Sequence, residues 1–226
     1  MSPARALPTP AASARPDKRL PHTNPQATMK ILIAGATGKT GLRLVDELIA
    51  RGHHPIALVR EDSDTEPLPD SVELRRGDLT ELPEDVCRGC DAVVFAAGSG
   101  GSTGPEMTDA VDREGAKQLI DLAADAEVQR FVMLSSVGAG DPDPDSELAH
   151  YLEAKHDADE YLKAAGIPYA ILRPVQLTEE DGDGEVRLGD EVDPTDTAAR
   201  GDVASVLADA LEDPEWTGQV RRMQSA

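Results

Sequence analysis

Met29-Lys30-Ile31-Leu32-Ile33-Ala34-Gly35-Ala36-Thr37-Gly38-Lys39-Thr40-Gly41 decides how this chain is read. The run up to Ala34 is a short apolar β-type segment. The glycines Gly35, Gly38 and Gly41 follow, and then Leu42, Val45, Leu48 and Ile49 are spaced to make one apolar face of a helix. A strand, a glycine-rich turn and a helix in that order give a backbone that can approach a pyrophosphate. The helix N-terminus adds free N–H groups and a partial positive charge. The stretch therefore predicts a nucleotide cofactor held at the top of a parallel sheet. Gly38-Lys39-Thr40 also resembles the end of a P-loop, but that motif needs a glycine where Ile33 stands, inside the strand, so the loop is too short to wrap a β-phosphate. A glycine-rich turn that binds nothing is the plain alternative, since a lone glycine motif is a weak signal.

Strand-like runs and helical patterns alternate from here on. Strands are expected at Pro55 to Val59, Val72 to Arg75, Ala92 to Ala97, Arg130 to Leu134 and Tyr169 to Leu172, with a short one at Val186 to Leu188. Helices are expected at Ala110 to Ala126, at Glu147 to Ala165 and at Asp202 to Leu211, the last with a carboxylate at its N-terminal end. Near-continuous apolar runs separated by helices mean strands buried on both faces. The fold class is α/β: a doubly wound, Rossmann-type parallel sheet in a single domain, with a small C-terminal extension on the substrate side. Ligands of such sheets bind at the carboxyl ends of the strands. The glycine loop, Arg60, Asp78, Gly98, Ser135, Ser136 and Pro174 all fall there.

The 226 residues suffice for one such domain. Residues 1–28 carry six prolines and no apolar periodicity, so they are read as a disordered leader, with 29–226 as the domain and Met29 a candidate start. No signal-peptide pattern and no membrane-length apolar run is present, which points to a cytoplasmic protein without membrane partners. The net charge of −21, from 43 acidic and 22 basic side chains, repels phosphate backbones and argues against nucleic acid as a partner. Six lysines, few aromatics and many aspartates suit a cytosol of high salt; a merely acidic mesophilic protein is the alternative. Cys87 and Cys90 have C-x-x-C spacing but no second ligand pair for zinc and no thioredoxin-like context, so they are read as packing residues and no metal site is expected.

Tyr151 and Lys155 stand one turn apart on a helix face. A phenol ionises near pH 10 and needs a cation beside it to act as a base at neutral pH. An ammonium about 4 Å away at an effective dielectric of ~20 is worth roughly 4 kcal/mol. Such a pair suits proton transfer beside a hydride step; a packed tyrosine next to a solvated lysine is the alternative. Ser135-Ser136, at a strand end in the same βα unit, can supply a hydroxyl to a substrate carbonyl.

Taken together, these pieces resemble the short-chain dehydrogenase/reductase superfamily, in its atypical or extended branch of NAD-dependent epimerase/dehydratase-like and NmrA-like proteins. The pieces are the glycine loop, Asp78-Leu79, Ala96-Ala97-Gly98, Leu134-Ser135-Ser136-Val137-Gly138, Tyr151-x-x-x-Lys155, Leu172-Arg173-Pro174 and Arg200-Gly201-Asp202-Val203-Ala204. The resemblance implies that Gly35, Ala36, Thr37, Gly38, Lys39, Thr40 and Gly41 hold the pyrophosphate and that Asp78 and Leu79 flank the adenine. It implies that Ala96, Ala97 and Gly98 line the ribose, and that Ser135, Pro174 and Val175 border the cofactor. Ser136 would orient the substrate, Tyr151 would be the acid/base and Lys155 would hold the nicotinamide ribose. An NAD site ends its second strand with an acid for the ribose 2′-hydroxyl; Arg60 stands there instead, and a guanidinium suits a 2′-phosphate, so NADP is favoured over NAD. Three functions stay open: an NADP-dependent oxidoreductase acting on a small carbonyl or alcohol as a monomer or homodimer, a non-catalytic NADP-sensing protein, and an NAD-dependent sugar epimerase or dehydratase.

Overall fold

A computed structural model describes residues 27–99 and 104–226. The leader expected over 1–28 lies outside the described residues except for Ala27 and Thr28, as do Gly100 and Gly101 after the fourth strand.

The chain enters the fold through strand β1 (Lys30–Ala34), whose four apolar residues are fully buried. Ile31 and Ile33 point into one apolar layer and Leu32 and Ala34 into the other, so this strand is covered on both sides. β1 pairs in parallel with β2 (His54–Val59) on one side and β4 (Ala92–Phe95) on the other, while β3 (Glu73–Arg76) adds beyond β2. β5 (Arg130–Leu134) and β6 (Tyr169–Pro174) continue the parallel array. The order β3-β2-β1-β4-β5-β6 reverses direction between β1 and β4, which opens a crevice at their carboxyl ends. This is the Rossmann-type sheet expected.

The tail holds more strand than expected. β10 (Gln219–Ser225) lies parallel against β6, and β8 (Val186–Leu188) runs antiparallel outside it. β7 (Gln176–Thr178) and β9 (Thr197–Ala199) form a separate parallel pair. β10 carries two arginines and buries only Met223 and Gln224 fully. Gln224 is held by Asp196 at 2.6 Å and by the Asp193 N–H at 2.6 Å.

Helix α1 (Lys39–Ala50) and helix α5 (Arg200–Glu212) cover one face of the sheet. The inward side of α1 is Leu44, Val45 and Leu48 rather than the expected Leu42, Val45, Leu48 and Ile49; Leu42 is half-buried and Ile49 exposed. The stripe is rotated because Thr40 and Gly41 must also face inward beneath the glycine loop. Burying Leu44 and Leu48 contributes about 1.5–3 kcal/mol each. Arg51, steadied by Glu47 of α1 at 2.8 Å, locks α1 to α5 through Asp209 and Glu212 at 2.7 and 2.9 Å.

The opposite face is covered by α3 (Ala116–Asp125) and α4 (Ala149–Ala164). The helix leading into α3 starts earlier than expected, at α2 (Pro105–Met107), and passes through a π-helical stretch, Thr108–Gly115. Such widened turns recur at functional sites.

Candidate active site

A cleft of about 1150 Å³ runs along the carboxyl ends of β1, β2, β4 and β5. Its floor at one end is the glycine turn. Gly35 has φ +87°, a conformation other residues rarely adopt, and a Cβ there would come within 2.7 Å of the Ala97 nitrogen. A Cβ on Gly41 would sit 2.0 Å from the Gly35 carbonyl oxygen, so α1 packs against the turn only because position 41 has no side chain. Gly38 stands at the N-terminal end of α1, which has no side-chain cap and no acid in its first turn, leaving the helix dipole turned toward the cleft.

Around this turn the charges are paired. Lys39 Nζ lies 2.8 Å from Glu179 Oε1, Arg200 Nε lies 3.4 Å from the same oxygen, and Arg200 Nη1 donates to Thr40 Oγ1 at 2.9 Å. Arg43 reaches the same acidic loop, with Nε 2.8 Å from Asp181 Oδ1 and Nη2 donating to the Glu179 carbonyl at 2.7 Å. The Lys39 ammonium holds the exposed Glu179 carboxyl below the usual glutamate range. At the far side of β2, Arg60 lines the cleft with its side chain about half exposed and Nε 3.4 Å from Asp62. Asp78 accepts from the Thr80 N–H at 2.8 Å and from its hydroxyl at 2.7 Å, bonds that hold its carboxyl below the ordinary aspartate value.

At the other end stands α4. Tyr151 lines the cleft, and Lys155 points inward one turn later, its Nζ 2.9 Å from Asp112 Oδ1 and 3.3 Å from the Ala97 carbonyl oxygen. The ammonium also lies 5.7 Å from the centre of the Tyr151 ring and 5.5 Å from that of Phe95. Burial pulls Lys155 toward neutrality, but Tyr151, Asp112 and Asp159 outweigh it and hold the group above the ordinary lysine value. Asp112 comes from the π-helical stretch, is fully buried, and accepts the Ser99 N–H at 2.9 Å. Beneath lies a second buried carboxylate: Asp159 Oδ2 accepts from Ser135 Oγ at 2.8 Å and from Arg173 at 2.9 Å. Burial pushes the Asp159 carboxyl up, against the opposing pull of Arg173 and Ser135.

Gly35, Thr37, Gly38, Lys39, Thr40, Arg60, Asp78, Leu79, Ala96, Ala97, Gly98, Ser135, Tyr151 and Lys155 therefore share one cleft. Ala36, Gly41, Ser136, Pro174 and Val175 do not line it. Successive residues of an extended chain face opposite ways, and at the end of β5 Ser135 takes the cleft side. Ser136 is half-buried and opens the turn Val137–Gly140. Asp112, Asp159 and Glu179 join the site without having been singled out by sequence. Asp112 and Asp159 carry a signal, each being a carboxylate on the apolar stripe of a helix; Glu179, in an acidic loop, carries none.

Residues 35–214 match a protein-family model described as NAD(P)H-binding. The chain belongs to this NAD(P)H-binding family. It falls within the atypical short-chain dehydrogenases/reductases, and a nicotinamide coenzyme is the ligand class of the family. It is 37% identical over 82% of its length to the uncharacterized sugar epimerase YhfK of Bacillus subtilis, covering 89% of that protein. It is 27% identical to sanguinarine reductase of Eschscholzia californica, over 81% of this chain and 84% of that one. Among solved structures, an NAD-dependent epimerase/dehydratase-like protein of Bacillus halodurans superposes with a TM-score of 0.83 at 35% identity, covering 88% of this chain and 94% of that one. Among the described residues, no helix is long and apolar enough to cross a membrane, and no cluster of three or more His, Cys, Asp or Glu is placed to hold a metal.

Proposed function

We propose that the protein is an NADP-dependent oxidoreductase that interconverts a small carbonyl compound and its alcohol. The observation that carries this reading is that the Tyr151 phenol and the buried Lys155 ammonium share the cleft that begins at the glycine turn. The donor set suits a dinucleotide: an uncapped helix N-terminus with Lys39 and Arg200 for a diphosphate, and Arg60 for a 2′-phosphate. When bound, the nicotinamide supplies or accepts a hydride at the substrate carbon. In the reducing direction the C=O π pair moves onto oxygen, and Tyr151 delivers its proton to that oxygen. The resulting phenolate faces the Lys155 ammonium, whose charge is fixed in place by Asp112. The reverse direction uses the same groups, with the phenolate taking the alcohol proton. The reading is tested by measuring NADPH oxidation against a carbonyl panel with wild type and Tyr151→Phe. The expected result is turnover in wild type and a loss of about a hundredfold or more in the variant, with NADPH affinity unchanged; equal turnover removes Tyr151 from the chemistry.

A second reading, a non-catalytic NADP sensor, is favoured by the clasp of Glu179 on Lys39 and Arg200. A bound diphosphate competes for the same cations and would free the acidic loop as a signal. It predicts tight cofactor binding without turnover, and faster amide exchange over 179–184 when cofactor is added. Epimerase chemistry, as in the name of the Bacillus subtilis relative, would instead retain its coenzyme through purification and consume none.

A further inference from the structure

We infer that the substrate is an uncharged, largely apolar carbonyl compound or alcohol, and not a phosphorylated sugar. The inference rests on the oxidoreductase reading and concerns the end of the cleft beyond Tyr151. Two arms build that end, one from Pro105 to Val111 and the other from Glu147 to Tyr151. His150 joins them: its Nε2 lies 3.3 Å from the Pro105 carbonyl oxygen and 3.1 Å from Asp109 Oδ1. The arms present Met107 and Leu148 to the cleft, 40% and 57% exposed. Pro105 and Val111 extend the same lining. Leu148 is the most exposed of the large apolar side chains among the described residues. Large apolar side chains left in water on two facing arms of a cleft gain free energy when an apolar ligand covers them.

The charges point the same way. Near this end Arg113 is held by Asp109 and Asp157, Arg173 by Asp159 and Lys155 by Asp112. The other cations of the lining, Lys39, Arg200 and Arg60, stand around the glycine turn and the end of β2, where the cofactor's own phosphates belong. Among the described residues a second diphosphate, as in a sugar nucleotide, meets at this end only cations already held in buried or part-buried ion pairs, while Glu147 adds negative charge. A phosphate desolvated against carboxylates is penalised; an alkyl or aryl group is not.

The test uses the full chain in two stages. NADPH is first titrated by its fluorescence, which examines the cofactor reading alone. The NADP-saturated protein is then titrated by calorimetry with straight-chain alkanals of increasing length and, separately, with UDP-glucose. The expected result is saturable alkanal binding that tightens about threefold for each added methylene, and UDP-glucose at least about tenfold weaker than the longest alkanal. Leu148→Asp and Met107→Asp, both on exposed positions, are expected to weaken the longest alkanal by about tenfold or more while leaving NADPH affinity as it was. Alkanal affinity independent of chain length, tighter UDP-glucose, or no effect of either substitution overturns the inference and leaves the cofactor reading standing. Failure to bind NADPH at all overturns the cofactor reading, and the inference with it.

Discussion

The Lys155 ammonium and the Asp112 carboxylate meet at 2.9 Å with side chains 3% and 0% exposed, which ties α4 to the π-helical stretch across the back of the cleft. Two charges taken out of water are costly and are repaid only by close pairing and further hydrogen bonds. Here the Ala97 carbonyl and the Ser99 N–H provide them, one to each partner. The pair fixes where the ammonium stands relative to Tyr151.

Removing one partner strands the other. Asp112→Leu and Lys155→Met are each expected to destabilise the fold by about 3–5 kcal/mol, and the two combined to recover most of that loss. Urea unfolding of these two singles and their double closes the cycle. Additive losses would mean that the ion pair is not the origin of the cost.

The same lysine sets an alkaline limit. Its folded value lies above the ordinary 10.5 even though burial opposes it, because Tyr151 and Asp112 favour the charged form. A raised folded value stabilises fully below the unfolded value and is lost only as pH rises through the folded one. The unfolding free energy of wild type relative to Lys155→Met should therefore stay level between about pH 7 and about pH 10 and shrink beyond that. A gap already closing near pH 8 contradicts the assignment.

Glu179 occupies cations that a diphosphate would use. Glu179→Gln is expected to tighten NADPH binding by a factor of about two to five, an exposed pair being a modest competitor. Lys39→Met is expected to weaken it. Fluorescence titration at low salt reads both, and unchanged affinity in Glu179→Gln would show that the clasp does not stand in the cofactor's way.

Coenzyme choice is expected to follow Arg60. Arg60→Ala should cost NADPH about tenfold or more through loss of charge-assisted bonds to the 2′-phosphate, while NADH changes less than about twofold. Parallel losses for both coenzymes would place the side chain away from the 2′ position.

Cys87 is 1% exposed, and burial pushes its thiol up to about 12. Cys90 is also raised by burial, against the pull of Arg75, whose Nη1 lies 3.2 Å from its sulfur. Neither thiol should react with an aromatic disulfide reagent near pH 8 until urea unfolds the chain. Rapid labelling of the native protein would argue for opening of the segment around Cys87 to Cys90.

What is legible in the chain follows from the range over which each signal acts. The sheet is readable because its central parallel strands are short apolar runs buried on both faces, as Lys30–Ala34 and Arg130–Leu134 show. The glycine turn is readable because Gly41 answers to a steric demand set by Gly35 and Ala36 and Gly35 to its own positive φ, although the Ala96–Ala97 backbone that also crowds Gly35 comes from far along the chain. β10 is not, because arginines interrupt its apolar pattern and its buried Gln224 is satisfied only by residues distant in sequence. The same limit applies to the site. Tyr151 and Lys155 announce themselves by one helical turn, but their partner Asp112 is chosen by packing between two helices. The choice between Ser135 and Ser136 depends on a single step of strand register, which neighbouring residues in the sequence do not specify.

The place of β10 bears on how the protein is made. β6 gains its second parallel neighbour only from residues 219–225, after everything from Val175 to Gly218 has been synthesised. Until then a nascent chain on the ribosome carries a hydrophobic strand with an open flank, the kind of template that recruits other chains. The dense negative charge of the polypeptide is a built-in deterrent against that encounter, since emerging copies repel one another before their sheets can join.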